Sequence, residues 1–394
     1  MPHLKVKPFN SEKIENILDS ENILTLHAKS LTSDDEVVGV ELGGEEFLIQ
    51  IKPDNEATLV KYDKVTRPLK VNLLKEALGE VAKLLNLEVL GSNISISNTK
   101  PALSSKYFKK IEDFENIDYP KEKISVEVGF GSGKHLLYQA QKNSDTLFIG
   151  LEIHTPSAQQ VLKQIELNNI ENIWVVNYDA RLFLEMLPSN SCEKVFVHFP
   201  VPWDKKPHRR VISSVFLEES MRVLHKGGML ELRTDSNNYY WYALETFFAV
   251  PKTEVNIRKN EALEVTSKYE ARWLRQEKDI YDVHVKSQIT SKDRTLSIDF
   301  NFNDVKYVEG IENKLSKKPM IYDGYFVHFE RMFKSSDNKL LIKCAFGSFD
   351  RPEHKYIMLN ENECRYFVST PVKTQINGEA HKKIMELLTN VQCN

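Results

Sequence analysis

The sequence predicts a doubly wound α/β core flanked by two regions of mixed α and β structure. Two observations predict the core: a glycine-rich turn that joins an apolar strand to a helix, and further apolar runs that each end in an acidic residue. A third observation, alternating hydrophobic residues on both sides of this core, predicts sheets in the flanks. The length of 394 residues is sufficient for two or three domains.

The glycine-rich turn lies in residues 124–133, Ile-Ser-Val-Glu-Val-Gly-Phe-Gly-Ser-Gly. The alternating apolar residues predict a buried strand, and a helix-compatible run begins at Lys134. Gly129, Gly131 and Gly133 permit a ligand to approach the backbone N–H groups of a helix N-terminus. Their spacing lacks the full Gly-x-Gly-x-x-Gly fingerprint of dinucleotide sites. An ordinary turn between strand and helix is the alternative interpretation.

Three carboxylates lie at the ends of successive apolar runs. Glu127, just before the first glycine, would repel a pyrophosphate and suits the cationic amino-acid end of S-adenosylmethionine. Glu152 ends the second run and follows Glu127 by 25 residues, close to the spacing at which doubly wound folds bind a ribose. Asp179 ends the third run and is a candidate contact to an adenine amino group. Each acid alone is more often a solvated cap, but together they predict a cofactor site at the carboxyl edge of the sheet.

A basic loop containing three prolines follows the next predicted strand, residues 195–199. Residues 198–210 read His-Phe-Pro-Val-Pro-Trp-Asp-Lys-Lys-Pro-His-Arg-Arg. The first two prolines exclude a helix, and Trp203 offers a stacking face. Residues 204–210 carry a local charge of +3 with histidine neutral. This combination suits an RNA backbone and an unstacked base, although a solvated loop is the alternative.

Residues from about 120 to 287 resemble the bacterial tRNA (guanine-N7)-methyltransferases. The Phe-Pro-Val-Pro-Trp loop together with a Lys-Tyr-Glu element is highly specific for that family, whereas the glycine turn is common to many methyltransferases. The further matching motifs are Ile-Gly-Leu-Glu-Ile-His at 149–154, Tyr-Asp-Ala at 178–180, Arg-Thr-Asp at 233–235, Ser-Lys-Tyr-Glu at 267–270 and Ile-Tyr-Asp-Val at 280–283.

The resemblance implies a Rossmann-like, S-adenosylmethionine-dependent enzyme that methylates N7 of a guanine in tRNA, at position 46 of the variable loop. It implies that S-adenosylmethionine is bound by Glu127, Gly129, Gly131, Gly133, Glu152 and Asp179. It places the contacts to the tRNA substrate at Lys205, Asp235, Ser267 and Glu270. The expected cofactor is therefore S-adenosylmethionine and the expected partner is tRNA.

One departure from the family concerns its loop aspartate, which the family treats as catalytic. This chain has Val201 at that position, and its loop is two residues shorter between Trp203 and Arg209. Asp204 lies close enough in sequence to be a relocated carboxylate. We expect it instead to pair with Lys206 or Arg209.

Asp235 is the best catalytic candidate, although the catalytic residues remain unassigned. Guanine N7 carries a lone pair and no proton, so its attack on a methyl group needs no general base. A carboxylate at the end of the predicted strand 229–235 can accept hydrogen bonds from the guanine N1–H and exocyclic amine, which only guanine presents together. Asp235 also suits the N-cap of a helix that begins near Ser236, and the two roles are compatible.

The predicted segments are an N-terminal α+β extension and linker over residues 1–119, the methyltransferase domain over 120–304, and a C-terminal α+β extension over 305–394. The N-terminal segment contains a predicted hairpin about Gly43-Gly44, followed by an amphipathic helix after Asn72. In the hairpin we expect Val40 opposite Phe47 and Val38 opposite Ile49. The pattern does not assign a function to either extension.

The C-terminal segment is predicted to contain strands and a closing helix. Strict alternation over residues 296–302 predicts a strand, and residues 325–333 and 339–346 predict a hairpin. The closing helix is predicted at about residues 379–391.

Composition bounds the remaining possibilities. The net charge of −3 excludes an overall basic surface, so RNA binding must be local. No apolar run reaches a membrane span, and we expect a cytoplasmic protein without a membrane partner. Four cysteines without paired spacing predict free thiols and no metal site. The oligomeric state stays open.

Two alternatives remain for the function. One is an S-adenosylmethionine-dependent methyltransferase of another substrate, for which the glycine turn would look the same. The other is a non-catalytic RNA-binding relative, which Val201 permits. The presence of all three strand-end carboxylates argues against that second alternative.

Overall fold

The computed structural model describes residues 2–18, 20–68, 70–94, 106–115, 117–250, 252–265, 276–294, 297–303 and 305–393. The chain divides into two compact units. The core unit comprises residues 103–297 and 372–374, and the flanking unit comprises residues 1–102, 298–371 and 375–394. Among the described helices, none has the length and apolar character needed to cross a bilayer.

The strands are numbered in chain order across both units. They are β1 (His3–Val6), β2 (Leu24–Ser30), β3 (Glu36–Leu42), β4 (Glu45–Asp54), β5 (Ala57–Tyr62), β6 (Val89–Ser92), β7 (Phe108–Lys109), β8 (Lys123–Val128), β9 (Thr146–Leu151), β10 (Ile173–Val176), β11 (Cys192–His198), β12 (Leu224–Thr234), β13 (Glu254–Lys259), β14 (Tyr281–Lys286), β15 (Met320–Ile321), β16 (Phe326–Lys334), β17 (Leu340–Gly347), β18 (Glu353–Leu359) and β19 (Cys364–Phe367).

The described α-helices follow the same numbering. They are α1 (Glu12–Glu15), α2 (Val71–Leu84), α3 (Lys134–Lys142), α4 (Thr155–Leu167), α5 (Ala180–Phe183), α6 (Ser214–Val223), α7 (Asn237–Phe248), α8 (Ile311–Lys314) and α9 (Gln375–Cys393). Short 3₁₀ helices cover Ile111–Glu115, Leu184–Met186 and Pro207–Arg209.

The core unit is built on a single sheet in the order β13-β14-β12-β11-β8-β9-β10-β7. The strands from β7 to β12 run parallel, whereas β14 is antiparallel to both β12 and β13. Helices α3 and α4 pack on one face of the sheet, and α5, α6 and α7 pack on the other. The strand order reverses between β8 and β11, which is where open α/β sheets bind ligands. The predicted doubly wound core is therefore confirmed.

The flanking unit confirms two locally encoded predictions. In the hairpin of β3 and β4, Val40 lies opposite Phe47 and Val38 lies opposite Ile49, as expected. The predicted amphipathic helix is α2, which buries four apolar residues against this sheet: Leu74, Ala77, Leu78 and Val81. The predicted C-terminal hairpin is formed by β16 and β17.

The two ends of the chain share one sheet in the flanking unit. Its order is β19-β18-β17-β16-β2-β3-β4-β5-β1-β6, with β15 paired to β16. Strands β2 and β16 join the halves through the pairs Ser30–Phe333 and Lys29–Lys334. The sequence patterns predict two separate extensions, whereas in the structure both belong to one folded unit, because they bury apolar side chains against each other.

The alternating segment at residues 296–302 is not a strand over its described part, residues 297–302, and Leu296 lies outside the described residues. Phe300 and Phe302 are 8% and 2% exposed and pack against Tyr366 and His381. The alternation therefore reflects aromatic packing in the flanking unit and not a hydrogen-bonded ladder. The closing helix α9 begins at Gln375, four residues before its predicted start.

Candidate functional site

The glycine-rich turn connects β8 to α3 and is held by backbone hydrogen bonds. The Gly129 N–H donates to the Leu151 carbonyl at 2.8 Å, and the Gly133 N–H donates to the Phe130 carbonyl at 2.8 Å. A Cβ atom on Gly133, whose φ is +69°, would lie 2.3 Å from Val161 Cγ2, so this glycine permits α3 to pack on α4. A Cβ on Gly129 would meet nothing within 4 Å. The turn therefore packs on one side and borders open space on the other.

That open space belongs to a cleft at the carboxyl ends of β8 and β11. It contains three residues predicted from the sequence, Glu127, Gly129 and Gly131, together with two imidazoles. Its described lining is Glu127, Gly129, Phe130, Gly131, Ser132, Lys134, His135, His198, Phe199, Leu263 and Val265. The cleft lies at the reversal of strand order, the position expected for a ligand in this fold.

Glu127 lines the cleft from the end of β8 and is 3% exposed. Its Oε2 lies 2.8 Å from Nδ1 of His135, which is on the first turn of α3 and is 8% exposed. Nε2 of His135 lies 3.1 Å from the Gln139 amide nitrogen. The turn thus brings a buried carboxylate and an imidazole together, and this hydrogen bond fixes the carboxylate at the cleft.

A second acid–imidazole pair adjoins the first. The ring centroids of His135 and His198 are 4.4 Å apart, and His198 Nε2 lies 2.8 Å from Glu231 Oε1. His284 Nε2 lies 3.8 Å from the other Glu231 oxygen. Burial raises the pKa of the Glu231 carboxyl, but the hydrogen bond with His198 and the nearby imidazoles outweigh burial and lower it to about 2.

Glu152 supports the glycine turn directly. Its Oε2 accepts a hydrogen bond from the Gly131 N–H at 2.9 Å, and its Oε1 accepts one from the His154 N–H at 2.8 Å. The carboxylate is therefore held next to the turn at the end of β9. Two predicted cofactor residues from different strands, Glu127 and Glu152, are thereby brought to the same turn.

Asp179 occupies the N-cap of α5. It accepts a hydrogen bond from the Arg181 backbone N–H at 2.9 Å, and its carboxylate pairs with the Arg181 guanidinium at 2.7 Å. These contacts give Asp179 a capping role. It is not part of the described lining of the cleft, so its contact to the cofactor stays a prediction.

The basic loop begins at the cleft and is fixed at both ends. Phe199, which lines the cleft, has φ of +49° and donates its N–H to the Arg233 carbonyl at 2.7 Å. At the other end the Arg210 Nε donates to the Pro202 carbonyl at 2.8 Å, and its guanidinium lies 4.4 Å from the Tyr242 ring centroid. A bulky residue in the left-handed region is strained, so its surroundings must hold the loop in this shape.

The exposed part of the loop carries the predicted RNA contacts. Lys205 is exposed, and the Arg209 guanidinium lies 5.2 Å from the Trp203 ring centroid. Val201 is 59% exposed. Neither Lys205 nor Val201 belongs to the described lining of the cleft.

The expected partner of Asp204 is wrong. Asp204 Oδ1 lies 3.4 Å from an Arg210 guanidinium nitrogen, whereas we expected Lys206 or Arg209. The reason is that Arg210 is drawn back across the loop by its bond to the Pro202 carbonyl, which brings it to Asp204.

Asp235 follows β12 and pairs with Lys278, whose Nζ lies 3.0 Å from Asp235 Oδ2. Its side chain is 19% exposed. The N-cap of α7 is Ser236, whose hydroxyl accepts a hydrogen bond from the Tyr239 N–H at 3.2 Å. The capping role considered for Asp235 therefore belongs to its neighbour. Asp235 is outside the described lining of the cleft.

Two further predicted substrate residues, Ser267 and Glu270, lie outside the described residues. The sequence patterns assign no role to His135 or His198, which line the cleft, or to Lys278. His198 could have been found, because it ends β11 beside the switch point. His135 lies on a helix face that only the folded structure aligns with Glu127.

The sheet order, the glycine turn and the buried carboxylate at the end of β8 are those of a Rossmann-like, S-adenosylmethionine-dependent methyltransferase. A family model described as "Putative methyltransferase" matches residues 121–283. The chain is 42% identical over 359 residues to the tRNA (guanine-N(7)-)-methyltransferase of Wolinella succinogenes, covering 90% of this chain and 91% of that protein. It is 38% identical over 397 residues to the Campylobacter jejuni protein of the same name, covering 98% of each. The chain therefore belongs to the tRNA (guanine-N7)-methyltransferase family, and the resemblance inferred from its motifs is confirmed.

Proposed function

We propose that this protein transfers the methyl group of S-adenosylmethionine to N7 of a guanine in tRNA, at position 46 of the variable loop. The observation that carries the proposal is the match, over 90% or more of both chains, to a relative named for that activity. We further propose that the reaction takes place in the cytoplasm, where the cysteines remain free thiols. Cys192, Cys344 and Cys364 are buried, and none of these three is bonded to another.

The residues around the glycine turn fit the expected cofactor. The Glu127 carboxylate in the cleft suits a cationic amino group, and the Gly129 side of the turn leaves room for close approach. Glu127 would hold the amino group, Glu152 the ribose hydroxyls, and Asp179 the adenine amine. Gly131 and Gly133 shape the turn. When bound, S-adenosylmethionine supplies an electrophilic methyl group on a sulfonium.

The protein's contribution to the chemistry is positioning and charge. Guanine N7 has no proton to lose, so no general base is required and the absence of an aspartate at Val201 is tolerated. Alignment of the reacting groups supplies several kcal/mol in such reactions. Asp235 would accept from the guanine N1–H and amine and stabilise the purine as it becomes cationic. Lys278 holds Oδ2 of this carboxylate, and Oδ1 remains able to accept.

The basic loop would bind the tRNA backbone. Lys205 and Arg209 offer charges for phosphates, and Trp203 offers a face for a base. Arg210 has a different role, because its guanidinium is buried and fixes the loop. We also propose substrate contacts for Ser267 and Glu270 on the strength of the family motif.

The test is nucleoside mass analysis after incubation of purified protein with labelled S-adenosylmethionine and unmodified tRNA transcript. We expect 7-methylguanosine, and we expect none from a transcript with adenosine at position 46. A methyl group on another nucleoside would assign a different target. Cofactor binding without transfer to any RNA would favour the non-catalytic relative.

A further inference from the structure

A fully buried arginine lies near the cleft, and the function proposed above gives it no role. Arg233 is on β12 and is 1% exposed. Its guanidinium forms a salt bridge with Asp282, the residue opposite it on β14, which is 2% exposed. A buried ion pair of this kind often contributes no more stability than a pair of well-packed apolar side chains. Stability alone therefore does not explain why the core unit buries this charge.

The same guanidinium also bonds the chain that forms one wall of the cleft. While Nη1 contacts Asp282, Nη2 donates to the Glu261 carbonyl at 2.8 Å. Leu263 and Val265, just beyond Glu261, line the cleft. Arg233 thus connects the sheet to the segment that supplies two apolar side chains to the cleft wall.

We propose that Arg233 is a positioning residue for cofactor binding: by holding the Glu261 carbonyl, it keeps Leu263 and Val265 at the cleft. The inference deepens the proposed function, since it rests on the assignment of S-adenosylmethionine to this cleft. Arg233 is not part of the described lining, so it acts through the backbone that it holds.

The local structure indicates why this bond matters. The chain leaves β13 at Asn260, whose φ is +58°. The Asn260 N–H donates to the Ile280 carbonyl at 2.8 Å, and its side-chain oxygen accepts from the Ile280 N–H at 2.8 Å. These bonds close the base of the segment between β13 and β14, but they end before the residues at the cleft. The bond from Arg233 to the Glu261 carbonyl extends the attachment towards Leu263.

The main chain of Arg233 supports a second cleft residue. Its carbonyl accepts the Phe199 N–H at 2.7 Å, and Phe199 lines the cleft. This contact belongs to the backbone, so a substitution of the Arg233 side chain leaves it in place. The guanidinium bond to Glu261 can therefore be removed separately.

Calorimetric titration of the full chain with S-adenosylmethionine, combined with urea denaturation, tests the inference. A paired variant, Arg233→Met with Asp282→Leu, removes both charges together. Its stability should stay near that of the wild type, because neither charge is left buried alone. The Glu261 carbonyl loses its donor, so we expect the Kd for S-adenosylmethionine to rise by roughly tenfold, as for one hydrogen bond from a charged donor.

Two further variants separate positioning from mere structure. Asp282→Asn keeps Arg233 and its bond to Glu261 but removes the charge that compensates the guanidinium, so stability should fall while the Kd of the folded protein stays within a few fold. Arg258→Ala is the matched control, because its exposed guanidinium contacts the Glu261 side chain at 2.6 Å and not the carbonyl. It should change neither quantity. If the ion pair were merely structural, affinity would follow stability across these variants.

Arg233→Lys supplies the same test should the paired variant not fold. It keeps a cation beside Asp282, but one ammonium group does not reproduce the two separated nitrogens of the guanidinium. In this variant we expect faster hydrogen–deuterium exchange over residues 261–265 of the cofactor-free protein, together with the same rise in Kd.

Two results would overturn the inference. One is a wild-type Kd in the folded paired variant or, in its place, in Arg233→Lys. The other is a rise in Kd for Asp282→Asn as large as that for the paired variant. Glu127→Ala in the same titration tests the proposed cofactor site separately. A loss of affinity in Glu127→Ala but not in the Arg233 variants would contradict this inference alone, whereas wild-type affinity in Glu127→Ala would contradict the proposed site.

Discussion

At the residue scale, Glu152 links the glycine turn to the proposed ribose contact. Its two oxygens already accept from the Gly131 and His154 N–H groups, so it is fixed before a ligand arrives. Removing a carboxylate that accepts charge-assisted bonds costs about 1.5–3 kcal/mol. We expect Glu152→Ala to weaken S-adenosylmethionine binding by roughly 10- to 150-fold in calorimetry. Glu166→Ala, an exposed change on α4, is the control. If Glu152→Ala binds S-adenosylmethionine with wild-type affinity, Glu152 is not part of the cofactor site.

The lowered pKa of the Glu231 carboxyl predicts that the protein loses stability in acid. Its folded pKa of about 2 lies below the ordinary value of 4.5, so its contribution is fully present above about pH 5 and is lost as pH falls towards 2. Between these limits, each pH unit is worth about 1.4 kcal/mol. As pH falls, the unfolding free energy of Glu231→Gln should therefore decrease less steeply than that of the wild type, by about 1.4 kcal/mol per pH unit. Urea denaturation from about pH 5 to pH 3.5 measures both slopes. The exposed Glu218→Gln should follow the wild type, and identical slopes for all three proteins would contradict the prediction.

At the element scale, the basic loop combines a fixed frame with an exposed, charged surface. Lys205→Ala and Arg209→Ala should weaken tRNA binding and leave cofactor affinity unchanged, because neither side chain belongs to the described lining of the cleft. Each lost phosphate contact lowers the slope of log affinity against log salt by roughly 0.7–0.9. Filter binding of tRNA over a salt series measures both quantities. If both variants keep the wild-type affinity and slope, the loop does not contact RNA. Lys163→Ala, on α4, is a suitable control.

At the scale of the whole molecule, the flanking unit depends on both ends of the chain. Leu26, Val37 and Leu48 from the first half pack in one buried cluster with Phe333 and Leu341 from the second. Burial of each such side chain contributes about 1.5–3 kcal/mol. A chain truncated after residue 297 should therefore lose hydrogen-exchange protection in β3 and β4 while β8 and β9 of the core unit keep theirs. Unchanged protection in β3 and β4 would show that the first half folds alone.

Local patterns predicted most of the fold and part of the site. The register of Val40 and Phe47 followed from alternation about a Gly-Gly turn, and the glycine-rich turn located Glu127. The pairing of Ser30 with Phe333 joins residues about 300 positions apart, and nothing in either local segment specifies it. The prediction of a strand at 296–302 is wrong, because alternate aromatic side chains that pack in a core give the same sequence pattern as a strand.

The same limit applies to the site. Asp204 has several cations within a few residues, and only the folded path of the loop selects Arg210. His135 follows Glu127 by eight positions, a spacing with no meaning until β8 and α3 are joined by the turn. Contacts between elements can therefore be identified only from the folded structure, whereas the acidic residues at the strand ends can be identified from the sequence.

The most direct test of the central claim is single-turnover methyl transfer to unmodified tRNA. We propose that positioning by Asp235 suffices and that an aspartate at position 201 is not required. Wild type should transfer the methyl group, and Asp235→Asn should slow transfer by roughly 10- to 150-fold with unchanged cofactor affinity, as for the loss of one charge-assisted contact. Asp204→Asn should stay within a few fold, because Asp204 pairs with Arg210. No transfer by the wild type, with transfer restored by Val201→Asp, would contradict the account.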